Sequence, residues 1–221
     1  MKKRFISGIL SFFLLWTCLI PSGSAVPSEG VGVLPFEDVP ETGELHDAVS
    51  WAVEHSVTNG KTETLFAPGD TCTRAQIITF LWRYSGQTEQ ETDNPFPYLD
   101  LNPDTTYGKA ARWAAAEGLL GKQAVQAKGL NFLGGTPCRR KEVALYLWRL
   151  AGSPYADPMS VSFEDVEPYA EYAVAVAWAV EAGITKGRTE STFAPEDTCT
   201  RGQIVMFLRR FANSASVEAL A

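Results

Sequence analysis

Three arginines recur where a helix should begin. They stand in Thr73-Arg74-Ala75-Gln76, Arg139-Arg140-Lys141-Glu142 and Thr200-Arg201-Gly202-Gln203. A helix N-terminus is the positive end of the macrodipole and carries N–H groups with no partner inside the helix. A cation there is mildly unfavourable, yet the chain keeps it three times. A solvated arginine would cost roughly a few tenths of a kcal/mol and do nothing. Alternatively, free amides, dipole and guanidinium fork converge on a carboxylate or phosphate. Recurrence at three equivalent places favours the anion site.

Other candidate chemistry is sparse. Asp38 and Asp165 recur in Phe-Glu-Asp-Val and read as caps or groove contacts. Paired carboxylates could serve a glycosidase, but these acids fall at repeated, turn-forming or exposed positions. No nucleophile–base arrangement is legible, so an enzyme, such as a wall hydrolase, is not expected. Neither a metal nor a cofactor is expected. No Cys-x-x-Cys spacing occurs, and His46 and His55 are the only imidazoles.

The elements that must hold these residues are two helical patterns per copy. The first, at Tyr172 to Ala182, carries Ala175, Val176, Ala179 and Val180 at helical spacing, and Gly183 ends it. Its mate in copy one has Leu45, Ala48, Val49, Ala52 and Val53, but Ser56 stands where the glycine should be. A loop with Phe66, Pro68 and Asp70, or Phe193, Pro195 and Asp197, leads to the second helix. There Thr73 or Thr200 caps, and Gln76 or Gln203 three residues on completes a capping box. The stripe Ile77, Phe80, Leu81 and Tyr84 recurs as Val143, Tyr146, Leu147 and Leu150, and as Ile204, Phe207, Leu208 and Phe211. Such a stripe is core.

Three copies of one unit therefore fill the chain beyond residue 33. Copies one and three match at an offset of 127. Copy two matches copy one at 62, then at 66, so a short insertion lies within 121–131. The repeats span 34–93, 94–158 and 159–212, with 213–221 a tail. Units this short cannot bury a core alone and should pack on one another.

Residues 1–25 read as a signal peptide, with Lys2, Lys3 and Arg4, an apolar run to Ile20, and a small-residue cleavage site after Ala25. Residues 26–33 form a linker. The mature chain is expected to be exported, with no membrane span after cleavage. Loss of the three basic residues takes its net charge from −7 to −10. That balance argues against nucleic acid. Cys72, Cys138 and Cys199 occupy equivalent places and read as small buried hydrophobes, not disulfide partners.

Taken together, Phe163 to Val166, Ala177 to Thr185, Phe193 to Pro195 and Thr200 to Gln203 resemble the S-layer homology (SLH) domain. The resemblance covers about 34–212. It implies an all-α fold in which three helix–loop–helix repeats form an intramolecular pseudo-trimer around a central three-helix bundle. It also implies inter-repeat grooves that bind a secondary cell-wall polysaccharide linked to peptidoglycan, typically carrying pyruvylated amino sugars. Arg74 and Arg201 then contact the acidic ketal, while Gln76 and Gln203 replace the usual glutamate and keep its capping role. Copy two departs: the threonine cap is gone, Gly134-Gly135 replaces Pro68-Gly69, and the groove at Arg140 is expected to bind least. The function implied is non-catalytic attachment to an acidic wall glycan by a secreted, cell-surface protein. The alternative is an envelope structural or adaptor protein that recruits a protein partner.

Overall fold

The computed structural model describes residues 34–86, 98–121 and 131–218. The signal peptide and linker expected at 1–33, most of the insertion, and the last three residues of the tail lie outside the described residues. Among the described residues six α-helices follow one another: α1 (Glu44–Glu54), α2 (Arg74–Tyr84), α3 (Thr106–Ala116), α4 (Arg140–Leu150), α5 (Ala173–Glu181) and α6 (Arg201–Glu218). A 3₁₀ turn, Pro158–Ser160, precedes α5. Among the described residues, extended backbone pairs only as isolated bridges, so the fold is all-α.

The first helix of each copy stops the same way. Val57, Leu119 and Ile184 donate back to Ala52, Ala114 and Ala179, while Ser56, Gly118 and Gly183 donate to Val53, Ala115 and Val180. This pair of hydrogen bonds requires a left-handed residue just past the helix. Gly118 and Gly183 take φ 73 and 70 without cost, and Ser56 is forced to φ 57. A Cβ in that region is strained. Ser56→Gly should therefore stabilise the protein by about 0.5–1 kcal/mol, measured by urea denaturation; an unchanged midpoint would mean that the serine side chain offsets the strain.

The second helices open as their sequences require. Thr73 Oγ1 accepts from Gln76 N–H at 3.3 Å, and Gln76 Oε1 accepts from Thr73 N–H at 3.0 Å. Thr200 and Gln203 repeat this at 3.3 and 3.1 Å. At the N-cap of α4 the residue is Arg139, so no hydroxyl caps the helix. Glu142 Oε2 still accepts from Arg139 N–H at 2.8 Å, and Glu142 N–H turns to the Arg139 carbonyl.

The copies interlock and do not stand apart. α3 packs on α2, α5 on α4, and α1 on α6. Each first helix thus lies against the second helix of the preceding copy, and copy one closes on copy three. The main core draws Phe66 and Ile77 from copy one, Trp113 and Leu147 from copy two, and Ile204 and Leu208 from copy three. The second helices begin at a closed ring of main-chain bonds. Cys72 N–H donates to the Cys199 carbonyl at 2.8 Å, Cys138 to Cys72 at 2.8 Å, and Cys199 to Cys138 at 2.9 Å. Three equivalent cysteines are needed because a small apolar side chain must sit, fully buried, at each corner.

Those thiols are free. Burial pushes Cys72 up to about 12 and Cys199 to about 11, and drives Cys138 higher still. A thiol that stays protonated and sealed is inert. A thiol reagent should find none of these three in the native protein and all three after denaturation. Fewer than three in the unfolded mature chain would mean that a disulfide had formed.

Candidate functional site at the seams between copies

Each repeat loop is built on an aspartate. Asp38 Oδ1 and Oδ2 accept from the N–H groups of Phe66 and Ala67 at 2.8 and 2.6 Å. Asp165 does the same for Phe193 and Ala194 at 2.8 and 2.7 Å. Asp100, which the sequence reading did not single out, does so for Phe132 and Leu133 at 2.7 and 2.8 Å. The residue after each phenylalanine is left-handed without being glycine: Ala67 at φ 59, Leu133 at 54 and Ala194 at 59. The carboxylate holds that strained bend, and the phenylalanine is thereby driven inward. Phe66, Phe132 and Phe193 are all buried and pack on Phe36, Tyr98 and Phe163. Asp38 and Asp165 are loop staples in this structure.

The space under two of these loops is fixed by glycine. A Cβ on Gly60 would sit 2.4 Å from the Phe36 ring, and one on Gly187 would sit 2.6 Å from Phe163. Copy two has Leu120-Gly121-Lys122 where the others have Thr58-Asn59-Gly60 and Thr185-Lys186-Gly187.

The helix N-termini do not offer free amides. Arg74 and Ala75 N–H donate to the Thr136 and Gly134 carbonyls, Arg140 and Lys141 to Asp197 and Pro195, and Arg201 and Gly202 to Asp70 and Pro68. The positive end of each helix meets the carbonyls of the following copy's loop. This corrects the expectation of unbonded amides awaiting an anion: neighbouring backbone satisfies them, as buried polar groups require.

The arginine side chains cross the same seams. Arg140 Nε donates to the Phe193 carbonyl at 2.8 Å, and its guanidinium lies over the Phe193 and Phe207 rings at 4.8 and 5.4 Å. Arg201 Nε donates to the Phe66 carbonyl at 3.0 Å, over Phe66 and Phe80 at 5.0 and 5.5 Å. Both residues are only 5% exposed. Burial depresses both pKa values, yet an arginine stays charged. In each, the buried Nη2 has no hydrogen-bond partner.

Arg74 differs. Its Nη1 donates to the Phe132 carbonyl at 2.9 Å and its Nη2 to Glu142 Oε1 at 2.6 Å. Burial works against its charge, but Tyr146 and Glu142 outweigh burial and hold its pKa above the usual arginine value. Copy two therefore alters the seam at Arg74, because its loop covers that arginine; the loop over Arg140 belongs to copy three. The groove at Arg140, expected to bind least, is thus covered by the loop of copy three and not by that of the degenerate copy. A further set of arginines, repeated at the end of each sequence block, ties each second helix to its own copy: Arg83 to the Val57 carbonyl, Arg149 to Leu119 and Arg210 to Ile184. Their recurrence at 83, 149 and 210 was the available signal.

This arrangement of capped helices, stapled phenylalanine loops and seam arginines is a repeat-built binding module. A family model for the S-layer homology domain matches residues 35–78 and 162–205. Those two segments belong to that family, whose domains are non-catalytic modules for cell-wall anchoring. The matched segments are copies one and three, which keep the threonine cap and the Thr-x-Gly turn that copy two lacks. The chain is also 25% identical over 212 residues to an endoglucanase of Bacillus sp. (strain KSM-635), covering 91% of this chain and 21% of that protein. It thus spans about a fifth of this curated relative's length. Among the described residues, no helix is long and apolar enough to cross a membrane.

Proposed function

We propose that the protein is a non-catalytic module of the bacterial surface that attaches to an acidic, pyruvylated secondary cell-wall polysaccharide. Its three copies act as an intramolecular pseudo-trimer, a reading supported by the cyclic cysteine ring and the cyclic exchange of helices. One observation carries the ligand assignment. Arg140 and Arg201 each keep a buried guanidinium nitrogen with no partner. A buried donor left unpaired is costly, and charged donors most of all. Such a group is explained when a ligand or water completes it. Arg140 lines a cavity of about 10 Å³, on the order of one water-sized guest. One carboxylate oxygen suits that space, with the rest of the sugar outside the seam. Gln76 and Gln203 serve the site indirectly, by closing the caps that aim the helices.

Co-sedimentation with purified walls tests this reading. Binding should vanish when the secondary polysaccharide is chemically stripped, and weaken when its acidic ketals alone are hydrolysed. Binding that survives stripping but is lost when wall proteins are removed would favour the adaptor reading.

A further inference from the structure

The three seams are not chemically equivalent. At Arg74 the charge is already met by Glu142. Glu142 holds the position that Gln76 and Gln203 hold in α2 and α6, the third residue of the helix. Tyr146, one turn beyond Glu142, replaces the phenylalanine found there in Phe80 and Phe207. The same seam opens onto a groove of about 960 Å³, within the range of ligand-sized clefts. Tyr146 and Trp148 line it, and among the described residues its charged side chains are two cations, Arg74 and Arg149, against three anions, Glu117, Glu142 and Glu171. Arg149 is itself paired with Glu171 at 2.7 Å. The wall of this groove therefore carries a slight negative balance and aromatic surface.

An acidic sugar entering there would face an arginine already bonded and an excess of carboxylate. An uncharged sugar would find ring faces for its C–H surface and carboxylate and amide acceptors for its hydroxyls. We infer that the copy-two groove is a saccharide subsite for uncharged sugar units, and that Glu142 sets this selectivity by occupying Arg74. Acidic units go to the seams of Arg140 and Arg201, where the corresponding residue is an uncharged glutamine. The inference rests on the glycan reading given above.

Two reciprocal substitutions test it. Glu142→Gln frees Arg74 and makes α4 resemble α2 and α6, whose glutamines already cap well. Gln203→Glu places a carboxylate where it should pair with Arg140. The probes are a synthetic methyl glycoside of a 4,6-O-pyruvylated N-acetylhexosamine and its unpyruvylated parent, titrated by calorimetry into the whole mature protein. Wild type should bind the acidic probe at two sites and the neutral parent at one. E142Q should gain a third acidic site, tightened on the order of ten-fold or more. Q203E should lose one of the two acidic sites. A third acidic site in wild type, no site for the neutral parent, or unchanged acidic stoichiometry in both variants would overturn the inference while leaving the acidic-glycan reading in place. No acidic binding by any of the three proteins would overturn both. Circular dichroism reports whether each variant folds, and Q203E decides the matter if E142Q does not.

Discussion

Asp38→Ala should lower the stability of the protein by about 2–3 kcal/mol, the loss expected when two hydrogen bonds to a partly solvated charged group disappear. The carboxylate of Asp38 is the acceptor for both Phe66 and Ala67 N–H. Without it, two backbone donors lose their partner, and the left-handed bend at Ala67 loses its restraint. Strain of that kind persists only where the surroundings over-determine it. Phe66 would then leave its buried place beside Phe36, and the carbonyl that receives Arg201 would move with it. The expected readout is a melting temperature lowered by roughly 5–10 °C for a domain of this size. Asp38→Asn should fall between, because an amide oxygen can serve only one of the two donors well. A melting temperature unchanged in Asp38→Ala would show that the loop closes without the staple.

The second large effect concerns Arg201, and it acts on stability and binding together. The guanidinium donates to the Phe66 carbonyl, stacks on two rings and leaves one nitrogen free. Truncating it to alanine strands a buried carbonyl and opens a cavity. The burial of Arg201 indicates a loss of about 2–4 kcal/mol in unfolding free energy on truncation. Arg201→Lys is the sharper test. Lysine keeps the charge but has neither the Nε–H that reaches Phe66 nor the planar fork that stacks and bonds at once. It should fold, with a smaller stability loss, and bind the acidic glycan about ten-fold or more weakly, the equivalent of roughly 1.5–3 kcal/mol for one hydrogen bond to a charged group. Titration calorimetry beside chemical denaturation separates the two effects. An Arg201→Lys protein that binds the acidic glycan as tightly as wild type would make the arginine a structural clamp only.

Much of this molecule is written locally. The capping boxes of Thr73 with Gln76 and Thr200 with Gln203 follow from a four-residue pattern, and so do the apolar stripes that became core. The glycine stops at Gly118 and Gly183, and the departure at Ser56, are equally local, because helix termination depends on a single left-handed residue. The burial of three equivalent cysteines followed from repetition, since an element repeated in sequence tends to repeat its environment.

What only the tertiary structure decided is which copy meets which. Arg201 reaches the Phe66 carbonyl across 135 residues, and Arg140 reaches Phe193 across 53. Each arginine pairs with the loop of the following copy, and copy three closes on copy one. No periodicity in the chain states that direction of closure; it arises because each first helix buries its apolar face on a neighbour's second helix. For the same reason the consequence of a degenerate copy appears one seam away from its own arginine, at Arg74. The helix amides that looked free in isolation are bonded for the same physical reason: an unpaired buried N–H is costly, and the nearest acceptors are the loop carbonyls that the closure delivers.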